Sequence, residues 1–190
     1  MDGRPLRSIR KSVLSLFGLA VAAIVLTGCF VSEQPILTEK NARALAFKAG
    51  PLLVCPYVKG ELDGDCKPGL ATNTPNRAML LAIEKDQTYA LRFQSIRRNM
   101  WIGQMSPLNQ EEGHIYLLAR KSRTYLSLGV LACNETDPDL VARLVSEGSL
   151  KKADNEYVCK IESEGALKDV VRDHLERTVP PAFEIRLSRP

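Results

Sequence analysis

The sequence predicts an α+β domain, a mainly antiparallel β-sheet of about six to eight strands covered by two C-terminal helices. Three observations predict it. Thr88 to Gln94 alternates cleanly, with Tyr89, Leu91 and Phe93 on one face and Ala90, Arg92 and Gln94 on the other, which is the period of a half-buried strand. Apolar runs of strand length flank short polar turns at Lys85-Asp86-Gln87 and at Lys121-Ser122-Arg123, which is hairpin spacing. Beyond residue 136, helical periodicity occurs twice, each time behind a capping residue.

Taken in order, Pro51 to Val58 has strand composition, but Pro56 cannot donate a ladder hydrogen bond, so an edge strand or two short pieces are expected there. Glycine, proline and aspartate then collect between Lys59 and Asn76 as a loop. Ala78–Glu84 and Thr88–Gln94 form the first predicted hairpin, Asn99–Met105 a strand with Trp101 as its anchor, and His114–Arg120 with Thr124–Cys133 the second hairpin. Asp137 before Pro138 marks a helix start, with Leu140, Val141, Leu144 and Val145 on one face. Ser163 marks the next, with Leu167, Val170, Val171 and Leu175 inward. Glu156–Ile161 is a short strand between them, and Phe183, Ile185 and Leu187 alternate in a last strand behind Pro180-Pro181. Composition leaves the sheet free to stay open or to curl strongly, even to a half-barrel.

The start of the chain has a different character. Arg4, Arg7, Arg10 and Lys11 stand against one acid, Asp2, and an apolar run from Val13 to Leu26 follows. That run is about 14 residues, roughly 21 Å as a helix, short for a hydrocarbon core of about 30 Å. Leu26-Thr27-Gly28-Cys29 comes directly after it. These residues resemble the lipobox of bacterial prolipoproteins. The resemblance implies a signal peptide over residues 1–28, cleavage before Cys29, a diacylglyceryl thioether on its sulfur and a further palmitate-type chain on the new amino terminus. Composition and length give a short tether over 29–38, with Ser32, Glu33, Gln34 and Pro35, and a single domain over 39–190, which the resemblance places in the periplasm. Phe30 stands where an Asp would favour inner-membrane retention, so the expected location is the outer membrane, facing the periplasm.

Residues 1–28 hold four of the 26 bases and one of the 22 acids, so the remainder is close to neutral, near +1. The basic balance of the whole chain therefore reports targeting and gives no support to nucleic-acid binding. Cys55, Cys66, Cys133 and Cys159 form an even set in an exported chain, which reads as two disulfides. Of three pairings, Cys55 with Cys66 and Cys133 with Cys159 enclose the shortest loops. A zinc site is disfavoured because no C-x-x-C spacing occurs.

Motifs for chemistry are sparse. His114 and His174 are 60 residues apart and in no ligand pattern, no serine sits in a G-x-S-x-G elbow, and Gly60, Gly64 and Gly69 make no phosphate-cradling loop. No catalytic residue, metal site or cofactor is expected, and the chain reads as a non-enzyme. Two features suggest recognition. Basic residues cluster at turns, Arg97 and Arg98 near Trp101, and Arg120 and Lys121 with Arg123, suited to anionic headgroups, lipopolysaccharide phosphates or acidic glycan. Tyr89, Trp101, Tyr116 and Tyr125 line a pocket or bind a peptide strand if they share a face, and core packing is the favoured alternative. The expected role is non-enzymatic recognition of, or structural support for, another envelope component, protein or glycan, by a module held at the membrane through its lipid. The rivals are an inhibitor resembling the periplasmic lipoproteins that block lysozymes, with Lys59–Asp65 as its plug, and a hydrolase built from distant carboxylates.

Overall fold

The structure is a computed structural model that describes residues 28–84, 87–108, 113–153 and 158–187. The expected signal peptide up to residue 27, Lys85-Asp86 of the first turn and Glu156 at the start of the short strand expected between the helices lie outside the described residues. The strands are β1 (Phe30–Ser32), β2 (Gly50–Val58), β3 (Glu61–Leu62), β4 (Lys67–Asn73), β5 (Met79–Glu84), β6 (Gln87–Arg97), β7 (Met100–Pro107), β8 (His114–Lys121), β9 (Tyr125–Val130), β10 (Leu150–Lys152), β11 (Cys159–Ile161) and β12 (Phe183–Leu187). The helices are α1 (Pro138–Ser146) and α2 (Glu164–Glu176).

The antiparallel sheet curls until it closes. Strands β2, β4, β5, β6, β7, β8 and β9 follow one another as a meander, and β12, the last in sequence, pairs with both β2 and β9 to complete an eight-stranded barrel. Closure leaves these strands few unpaired edges. The position of β12 is set by a close pass, since a Cβ on Gly129 would lie 2.8 Å from both the Pro180 carbonyl oxygen and Val179 Cγ1. Only a glycine lets residues 179–180 cross β9 so tightly and hand Ala182 N to the Leu128 carbonyl.

Inward residues fill the barrel. Tyr89, Leu91 and Phe93 point in as their alternation predicts, together with Leu81, Leu117, Leu126, Leu128 and Ile185. A second core lies outside the wall, where Ile102, Tyr116 and Leu118 meet Val141 and Leu144 of α1 and Leu167, Val170 and Val171 of α2. Both helices are capped as expected, by Asp137 Oδ1 accepting from Asp139 N and Leu140 N, and by Ser163 Oγ accepting from Ala166 N. Cys55 bonds Cys66 and Cys133 bonds Cys159, the favoured pairing. Each bridge contributes about 2–4 kcal/mol by restricting the unfolded chain.

The expectation for Pro56 is corrected. β2 is a single nine-residue strand inside the barrel wall. The ladder to β4 ends at Val54 opposite Lys67, and β3 pairs only with Tyr57 and Val58. Pro56 thus occupies the gap where no ladder donor is required.

Residues 29–38, read as a tether, are folded in. Cys29 bridges to Ala132, β1 runs between β8 and β11, and Phe30 and Leu37 are fully buried. Phe30 packs edge-on to His174 of α2, so β1 joins the barrel to its helical cover. Phe30→Ala is therefore expected to cost about 3–5 kcal/mol, read as a lower urea midpoint. An unchanged midpoint would show that β1 does not hold these layers together.

Candidate binding site at the barrel mouth

The barrel has two dissimilar ends. The turns between β6 and β7 and between β8 and β9, the start of β2 and the end of β12 share one end, here called the mouth. The β2–β3 turn and the attachment of β1 lie at the other, the floor.

Local chemistry shapes the mouth. Arg97 opposes Met100, which leaves Arg98-Asn99 as a two-residue turn, and Asn99 takes φ +62°, a conformation asparagine tolerates better than most side chains. The neighbouring turn is closed by Ser122 N donating to the Tyr125 carbonyl at 2.9 Å. Lys121 N donates to the Asn99 carbonyl at 3.0 Å, and Leu187 N to that of Thr124 at 3.0 Å, so both turns and the end of β12 form one rim.

The segment 42–48 completes it. β5 pairs with β6 only as far as Leu91, and Arg43 N takes up the vacated edge by donating to the Phe93 carbonyl at 2.7 Å. Leu45 and Phe47 then turn into the barrel core, and Lys48 stays exposed at the rim. Between this segment and the turns lies a cavity of about 730 Å³. Lys48, Lys121 and Arg123 supply its charge, Asn99 and Ser122 its neutral polar groups, Phe47 and Leu187 its apolar patches. Among the described residues no carboxylate lines it and none pairs with those three cations.

The predicted basic residues thus come together at one end and divide by direction. Lys121, half-buried, and Arg123 line the cavity. Arg97, Arg98 and Arg120 are exposed around the same end, and Arg97 Nε donates to Met100 Sδ at 2.9 Å. Trp101 packs against the barrel core opposite Ser95 and Ala119, so it is a core side chain under the mouth and not an exposed platform. Lys48 escaped sequence reasoning, because 39–49 carries no turn or strand signature. The alternation of Leu45 and Phe47 ahead of Gly50 was the available clue.

The aromatic row is packing and not a binding face in three of its four members. Tyr89 and Trp101 belong to the barrel core, Tyr116 points outward into the helical layer, and Tyr125 is exposed. They share no face, because residues 89 and 101 fall on the inward parity of their strands and 116 on the outward parity of its own.

Neither histidine belongs to the mouth. His114 Nδ1 and Ser106 Oγ are 2.6 Å apart on the outer wall, and burial followed by the Arg92 charge lowers the imidazole pKa. His174 is buried between Phe30 and Thr136, whose Oγ1 lies 3.3 Å from Nε2, and burial lowers its pKa from 6.5 against the opposing pull of Asp173. Among the described residues no group of three or more metal-ligating side chains occurs, and no helix is long and apolar enough to cross a membrane. No known protein family, curated protein or solved structure matches the chain.

The sign for His174 follows from its neutrality in the fold. The unfolded chain takes up a proton near pH 6.5 and the folded chain only lower, so stability is full above 6.5 and falls as pH drops below it. His174→Gln keeps a hydrogen-bonding group there without titrating. The variant is expected to lose less urea resistance than the parent between pH 7 and 5, and equal losses would contradict this.

Proposed function

We propose that the chain is an envelope lipoprotein, acylated at Cys29, whose barrel recognises an anionic envelope component at its cationic mouth without chemistry upon it. The observation that carries this reading is the meeting of Lys48, Lys121 and Arg123 around one cavity that, among the described residues, no carboxylate lines. Like charges held together raise the energy of the empty site, and an anion relieves it. The lipobox resemblance and two disulfides, which persist in oxidising compartments, support an exported protein, and Phe30 supports the outer membrane facing the periplasm.

Anchoring has a structural consequence. Cys29 is 1% exposed with its side chain in the barrel core, where a diacylglyceryl group has no room. Acylation must come before folding, and in the acylated protein Cys29 gives up its bridge to Ala132 while β1 keeps its pairs from Phe30 onward. Two or three chains at about 0.8 kcal/mol per buried methylene outweigh the loss of one residue's packing. Cys29→Ser is expected to abolish palmitate incorporation and release the domain into the soluble fraction. Labelling and pelleting that survive the substitution would defeat the anchored reading.

A second reading rests on the hairpin of β2 and β3. Lys59 and Gly60, at φ +52° and +85°, form the tight turn that right-twisted strands favour, and the Cys55–Cys66 bridge closes the loop. Leu62 is half exposed on it, which suits a rigid plug for a muramidase cleft. Inhibition that disappears on reversing the charges of Lys59, Glu61 and Asp63 would favour this reading. Full muramidase activity in a large excess of the protein would remove it.

A further inference from the structure

The ends of the barrel differ in more than charge. Val31 pairs with Ile115 at the floor end of β8 and, because β1 runs antiparallel, Phe30 before it lies about level with Tyr116, while Lys121 at the other end lines the mouth. Five residues of strand separate that level from Lys121, about 17 Å at 3.3 Å per residue and about 13 Å along the axis of a barrel tilted by about 40°. Because residues 30–32 are strand, no leash lets the domain turn over. The floor also carries exposed apolar tips, Val58 at 55%, Leu62 at 51% and Leu108 at 52%, which suit the end nearest a bilayer.

We propose that the mouth opens away from the bilayer holding Cys29 and takes an acidic saccharide of an envelope polymer in trans. This rests on the anchored reading above and adds a ligand class and a direction. The cavity, about 730 Å³, falls among sites that enclose a small ligand and is much larger than a free phosphate needs. Its three cations come from separate places in the chain, Lys48 from the segment before β2, Lys121 from the end of β8 and Arg123 from the following turn. A single small anion satisfies one or two of them, whereas carboxylates spaced along a sugar chain satisfy all three. Asn99 and Ser122 offer the neutral donors and acceptors that hydroxyls require, and Leu187 offers apolar surface to the C–H face of a sugar ring. A flat headgroup surface fits poorly, since Lys121 and Ser122 are half-buried within the concavity.

The test uses the full acylated protein in phosphatidylcholine vesicles at about 0.15 M salt, with a fluorescent oligogalacturonate as probe. Saturable co-sedimentation of the probe is expected, with no retention of a neutral oligosaccharide of equal length. Lys121→Gln and Arg123→Gln should each weaken it about tenfold, as loss of one charged hydrogen bond does. Adding phosphatidylglycerol to the membrane that holds the protein should leave the affinity unchanged, because a mouth about 13 Å away lies beyond the screening length of about 8 Å. Loss of binding on that addition overturns the trans orientation. Competition by inorganic phosphate at concentrations equal to the probe's carboxylates, or retention of the neutral sugar, overturns the ligand class. Protein that pellets without probe defeats this inference alone. Protein that stays in the supernatant defeats the anchored reading and the orientation with it.

Discussion

The whole domain depends on one strand being buried on both faces. In β8, Ile115, Leu117 and Ala119 fill the barrel while Tyr116 and Leu118 fill the layer beneath the helices. The same strand pairs with β7 along one edge and with β9 and then β1 along the other. Tyr116 is the most demanding residue in it. A phenol withdrawn from water loses strongly if its hydroxyl is unpaired, and here that oxygen lies 2.6 Å from Ser32 Oγ and accepts from Ile36 N. Burial holds its pKa up at about 12, so it stays neutral in the apolar layer. Its two partners belong to β1 and the residues after it, which is why the amino-terminal stretch is structure and not linker.

Legibility in the sequence followed how local each determinant was. The alternation of Tyr89, Leu91 and Phe93 and the caps at Asp137 and Ser163 are decided within a few residues, and all were readable. The disulfide pairing was readable for a related reason, since neighbours in sequence close the smaller loops. Pro56 misled because a missing donor matters only where a partner strand faces it, and the end of the β4 ladder is a tertiary fact. Barrel closure was hidden too, because it depends on β12 reaching β2 from more than 100 residues away.

At the mouth the cations were legible and their geometry was not. Turn composition marks Arg97, Arg98, Arg120, Lys121 and Arg123 as surface charge, yet strand parity decides which enter the cavity. Lys121 follows the inward Ala119 by two and so faces the barrel opening, while Arg120 between them faces outward. Lys48 arrives only because Leu45 and Phe47 need a core to bury in, and the nearest opening is above the shortened edge of β5. Packing forces acting on apolar neighbours thus place a charge that no local rule identifies.

Charge segregation then separates the two ends of a nearly neutral domain. On the helical layer, Arg143 is held by Asp169 and Glu147, Lys168 by Glu164, and Arg177 by Asp173 and Asp137. Such exposed pairs add little to stability, but they cancel charge on the flank of the molecule. The floor hairpin mixes Glu61, Asp63 and Asp65 with Lys59 and Lys67, whereas among the described residues no carboxylate lines the cavity beside Lys48, Lys121 and Arg123. What remains is a local excess of positive charge at the mouth. Under the proposed function, that excess would draw an approaching polyanion toward the cavity before any hydrogen bond forms. A net charge near zero is therefore a poor guide to local potential, because cations that no carboxylate neighbours at the mouth are offset in the total by acids elsewhere.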